Sequence, residues 1–131
     1  MRTTFRKDLK ILGVLIGMMV LFGCAGLQNE VQVNEGKGPL LIKASDFKFE
    51  PNNIRLPEPG PLSLKVENIS GVVHNITIKD SEGKIITSTD LPAHTTVSIE
   101  VNLPKPGAYE MYCDKPFHTG MGMKGQIVVG K

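Results

Sequence analysis

A chain of 131 residues has room for one domain core, so a single fold must carry whatever this protein does. Its formal charge of +2 misleads, because four of the 15 basic residues and one of the 13 acidic ones fall in the first 23 positions, leaving 11 basic against 12 acidic side chains in the remainder. Nucleic-acid binding, which needs a concentrated positive field, has no support in that balance.

At the N-terminus Arg2, Arg6, Lys7 and Lys10 precede an apolar run from Ile11 to Phe22. This is a signal-peptide layout over residues 1–23, shorter than the roughly 20 apolar residues of a comfortable membrane span. The run closes on Leu21, Phe22, Gly23 and Cys24, which resembles the lipobox of bacterial lipoproteins. The resemblance implies cleavage before Cys24 and lipid on its sulfur; the alternative is an uncleaved signal anchor. Either puts the domain outside the cytoplasm, in the periplasm or at the cell surface, held to a bacterial membrane by its N-terminus. Residues 24–38 are polar and glycine-containing and read as a flexible tether, with the domain over 39–131.

From Pro39 onward the dominant period is two. Leu62, Leu64 and Val66 alternate with polar neighbours, as do Val97, Ile99, Val101 and Leu103, which is the pattern of strands with one face in a core. Further strands are expected at 40–44, 53–56, 73–79, 84–88, 107–113 and 125–129. Turn signals separate them at Pro57 to Pro61, Asn68 to Gly71, Asp80 to Gly83, Leu91 to His94 and Pro104 to Gly107. Seven to eight short strands so spaced predict an all-β, Greek-key β-sandwich. Its core is modest, with no tryptophan and with Phe47, Phe49, Tyr109, Tyr112 and Phe117 as the aromatics beyond the signal.

Two positions break the binary pattern or the cysteine logic. In the strand 73–79, His74 shares a face with Ile76 and Ile78, where a hydrophobe is expected, while Asn75, Thr77 and Lys79 oppose it. Cys113 ends a strand in which Tyr109 and Met111 share its face, and with Cys24 lipidated it has no disulfide partner. Taken alone, Cys113 reads as an inert buried thiol and His74 as a satisfied core histidine. Five residues beyond Cys113 comes His118, however, and five beyond that Met123. Thiolate, two imidazoles and a thioether are the soft and borderline donors of an electron-transfer copper site, with methionine as the weak axial ligand. Met121 is the competing axial candidate. His94 reads as a solvated loop residue, and the Asn-x-Ser/Thr triplets at Asn68 and Asn75 read as coincidence.

At this point the residues resemble the cupredoxin family of blue, type 1 copper proteins. The segment from Asn68 to Ile76 (NISGVVHNI) is similar to the plastocyanin-type strand that delivers the first histidine, and KPGAYEMYCDKPFHTGMGMKGQI, from Lys105 to Ile127, is similar to the family's ligand loop. The resemblance spans about residues 39–129, with a Cys-x4-His-x4-Met spacing like that of rusticyanin-like members. It implies one copper ion held by His74, Cys113, His118 and Met123, the last preferred over Met121 because Lys124 and Gly125 continue into the final strand as in the family. It also implies that Asn75 ties the two ligand-bearing segments together and hydrogen-bonds near the sulfur. Electrons would pass at the exposed edge of His118, ringed by Pro116, Phe117, Gly120 and Met121.

The expected function is one-electron transfer by a monomeric, membrane-anchored carrier that is not an enzyme. It would dock transiently on redox partner proteins such as a cytochrome, an oxidase or a reductase. A copper storage or delivery protein is the alternative, kept open by Met121 and Met123. A cupredoxin-like enzyme or sensor is a third reading, opposed by four complete ligands where a catalytic metal keeps a free position.

Overall fold

The computed structural model describes residues 30–32 and 38–131, so the signal sequence and Cys24 lie outside the described residues. Short alternating segments bounded by glycine, proline and Asx turns leave the backbone one economical way to satisfy its hydrogen bonds, and it forms strands. Ten are described: β1 (Glu30–Gln32), β2 (Leu40–Ser45), β3 (Lys48–Glu50), β4 (Asn53–Leu56), β5 (Gly60–Asn68), β6 (His74–Lys79), β7 (Ile85–Leu91), β8 (Thr96–Leu103), β9 (Gly107–Tyr112) and β10 (Lys124–Val129).

They make two sheets, one of six strands in the order β1-β4-β10-β9-β6-β7 and one of four in the order β3-β2-β5-β8. Pairing is parallel for β1 with β4, β4 with β10 and β2 with β5, and antiparallel elsewhere. The inner faces interdigitate in the usual manner of a sandwich. Ile42, Leu64, Val66 and Leu103 from the smaller sheet meet Ile54, Ile76, Ile78 and Ile127 from the larger, all fully buried. The all-β sandwich expected from the sequence is the architecture present.

All eight expected strands are there, and two of three residues each are added. β3 pairs with β2 across the turn at Asp46 and Phe47. β1 lies inside the stretch read as a tether, where Glu30, Val31 and Gln32 pair with Asn53, Ile54 and Arg55. In β6, Asn75 and Thr77, on the face opposite His74, are buried too, and each finds a polar partner there. At the opposite end from His74, Tyr109 closes a corner: its hydroxyl donates to the Lys105 carbonyl at 2.9 Å and accepts from the Lys105 N–H at 3.2 Å.

What the fold does for the site follows from register. Thr77 lies opposite Tyr112 and Ile78 opposite Met111, so β9 runs Cys113 toward the His74 end of β6. β10 then returns antiparallel to β9, with Lys124 opposite Tyr112, and the loop between them holds His118 over the same end of the sandwich.

Candidate metal centre

His74 opens β6 on the face of Ile76 and Ile78 and is fully buried; so are Cys113 and Met123. His118 is half-buried at the rim. The loop from Asp114 to Met123 is folded on itself by short-range bonds. Cys113 N–H donates to Met123 O at 3.1 Å, Met123 N–H to His118 O at 3.0 Å, and the Thr119 hydroxyl to Cys113 O. Met123 is therefore fastened by its backbone to both neighbouring donors, whereas Met121 is 63 % exposed.

The donor atoms converge. One atom each from His74, Cys113 and His118 lie within 4.8 Å of one another. His74 Nδ1 stands 3.1 Å from His118 Nδ1, and Cys113 Sγ 3.4 Å from the same nitrogen. A first-row metal bonded at about 2.0 Å to nitrogen and about 2.3 Å to sulfur separates its donor atoms by roughly 3 to 3.5 Å at ordinary bond angles. The spacing fits three atoms around a shared ion, and with the thioether of Met123 in the same buried cluster the donor set fits one copper.

His74 Nε2 lies 2.7 Å from Ser70 Oγ, a hydroxyl that also lies 3.0 Å from Asn68 Oδ1. With Nε2 as the donor in that contact, Nδ1 carries the lone pair on the side of His118. Asn68 is itself pinned, donating through Nδ2 to the carbonyls of Val72 and Leu91 at 2.8 Å each. Burial holds the His74 imidazole below its ordinary pKa, His118 lowers it further, and the Asp46 carboxylate, 3.9 Å from Nε2, opposes them in part. The ring therefore stays neutral and able to ligate in neutral solution.

The Asn75 side chain donates to Ser88 at 3.1 Å and accepts from the Thr77 hydroxyl at 2.7 Å. Pro116, Phe117, Gly120 and Met121, in the loop that carries His118, are all exposed, Phe117 to 86 %.

Sequence reasoning missed two contributors. Phe47, in the β2–β3 turn, sets its ring edge-on to His118 with centroids 5.2 Å apart and adopts a positive φ of 59°. Ser70 stood in the sequence as an ordinary turn residue, four before His74; that spacing was the one signal that its hydroxyl could reach the ring.

A β-sandwich with a buried cysteine sulfur and two imidazoles converging at one end defines a copper-binding domain. The chain belongs to the cupredoxin-like domain family, whose model matches residues 14–129. It is similar to the dithionite-reduced auracyanin of the photosynthetic bacterium Roseiflexus castenholzii, with 21 % identity, TM-score 0.64, and 71 % of this chain and 97 % of that one covered. It is likewise similar to auracyanin A, a "blue" copper protein of Chloroflexus aurantiacus, with 21 % identity, TM-score 0.59, and 71 % and 100 % covered. The metal-binding domain of the Cu(I)-exporting P-type ATPase of Streptococcus pneumoniae, solved with Cu(I), shares 17 % identity at TM-score 0.61 over 81 % and 100 %. At these identities the likeness is one of fold. No curated protein matches the chain at a significant level.

Proposed function

We propose that this protein is a one-electron carrier, in which His74 Nδ1, Cys113 Sγ and His118 Nδ1, with the Met123 thioether, would hold copper. The observation that carries this reading is the convergence of the three donor atoms within 4.8 Å. A copper ion there supplies exchange of a single electron between its Cu(I) and Cu(II) forms. The chain's own residues do the rest. Cys113 and Met123 exclude water from the inner side, Ser70 keeps the His74 lone pair directed at the site, and the bonded loop holds the donors in place through the redox change. Rigid ligands keep the rearrangement on electron transfer small.

His118 presents the one half-buried edge, so electrons enter and leave there. Phe47 lies edge-on to its ring, Phe117 and Met121 stand in its own loop, and Val72 and Val73 just precede His74; all five are exposed apolar side chains. That surface suits brief docking on a redox protein with an apolar rim of its own. The signal-like start and Cys24 support an extracytoplasmic carrier anchored by lipid; no helix among the described residues is long and apolar enough to cross a membrane.

Loading the purified domain with one equivalent of copper tests the carrier reading. Intense thiolate-to-copper colour, bleached by one electron and restored on oxidation, is expected, and Cys113→Ser removes it. Colour that survives Cys113→Ser overturns the assignment. The exposed thioether of Met121 favours copper delivery as the second reading; a colourless protein that binds Cu(I) alone and hands it to a chelator would establish that instead.

A further inference from the structure

The ligand loop leaves the sheet after Tyr112 and rejoins it at Lys124, and one charged side chain within it reaches back. Lys115 Nζ donates to Asp90 Oδ1 at 2.8 Å. Asp90 lies directly opposite Asn75 in the β6–β7 register, as Leu91 lies opposite His74. Beside them, Asn75, Thr77 and Ser88 are joined by side-chain hydrogen bonds across the same two strands. Within the loop, the Lys115 carbonyl accepts from the His118 N–H at 3.2 Å. Lys115 thus grips the hairpin of the first histidine with its side chain and the second histidine with its backbone. Its ammonium is held above its ordinary pKa, chiefly by the bond to Asp90, and the neighbouring Cys113 sulfur acts in the same direction.

We propose that Asp90 and Lys115 are a positioning pair for the metal centre, fixing the ligand loop against the β6–β7 hairpin and so setting where His118 and Cys113 meet His74. The inference rests on the copper reading but concerns the geometry of the metal-free protein as well. Asp90, the register partner of Asn75, and Lys115 together tie the two ligand-bearing segments. A partly exposed ion pair adds little to global stability. A ligand set spaced at 3.1 and 3.4 Å, by contrast, is sensitive to small movements of the loop.

The test uses Asp90→Asn, Lys115→Met and Asp90→Glu in the full domain. In the metal-free protein, the first two variants shift the His118 ring and ligand-loop NMR signals and speed amide exchange in the loop, while the unfolding midpoint moves by no more than a few °C. In the copper-loaded protein they weaken metal retention by about tenfold, the lower end for residues that support a ligand. Asp90→Glu, which keeps the carboxylate, stays near the unmodified protein in both respects. Asp90→Asn indistinguishable from the unmodified protein in loop signals and metal retention overturns the proposal, as does Asp90→Glu equally impaired. If the unmodified domain binds no copper, the copper reading fails, while the metal-free NMR result still decides whether the pair positions the loop.

Discussion

The two ends of the sandwich are built by opposite rules. At the far end, where β6 meets β7 and β8 meets β9, the left-handed backbone positions are glycines, Gly83 at φ 84° and Gly107 at φ 132°, which adopt them without steric penalty. Asp80 accepts from the N–H groups of Glu82 and Lys84 at 3.0 and 2.9 Å, and Tyr109 locks its corner. At the metal end Gly122 also has a positive φ, of 108°, but Phe47, His94 and Phe117 hold positive φ with full side chains, and His74 takes a core position made for a hydrophobe. Such departures cost on the order of 1 kcal/mol or more each and persist where the surroundings over-determine them, typically at functional sites. The far end is spent on folding, and the metal end on holding donor atoms.

The sharpest way to break this contrast is to restore the rule. His74→Leu supplies the hydrophobe the pattern requires, so copper binding and colour are lost. The metal-free domain, freed of a buried polar ring, keeps its stability or gains about 1 kcal/mol. Denaturant unfolding checks this, and a loss of several kcal/mol would show that the histidine is structural.

Next in size is Phe47→Gly, which relieves the left-handed strain and removes the ring from His118. Copper transfer to a chelator should accelerate several-fold while metal-free stability changes by less than about 1 kcal/mol. Tyr109→Phe is the far-end counterpart. It should cost about 1 kcal/mol of stability through the lost corner bonds and leave the spectrum of the loaded protein unchanged.

The smallest effect is one of pH on the metal-free domain. The pKa of folded His74 is depressed below its ordinary 6.5, so the unfolded chain takes up a proton more readily than the folded one as pH falls through that value. Stability must then decline toward acid from this group and be fully present above it. His74→Leu should remove that part of the slope, as unfolding measured between neutral and mildly acidic pH would reveal.

The same contrast explains what could be read from the chain. Alternation exposed the long strands, and the donor set stood out because His74 violates its pattern and because Cys113, His118 and Met123 recur at a fixed interval in one loop. β1 and β3 were missed because three residues are too few to show a period of two. The burial of Asn75 and Thr77 was not legible because period gives the side of a sheet and not what covers it. Phe47 and Ser70 were silent because their roles depend on where turns double back in space. Asp90 and Lys115 lie 25 residues apart, a separation at which no local pattern pairs two charges.

The most direct test is copper X-ray absorption on the domain loaded with one equivalent of metal. The expected result is one sulfur at about 2.3 Å and two nitrogens at about 2.0 Å, with the sulfur absent in Cys113→Ser. A copper ion surrounded by nitrogen and oxygen alone would contradict the claim that Cys113, His74 and His118 share it.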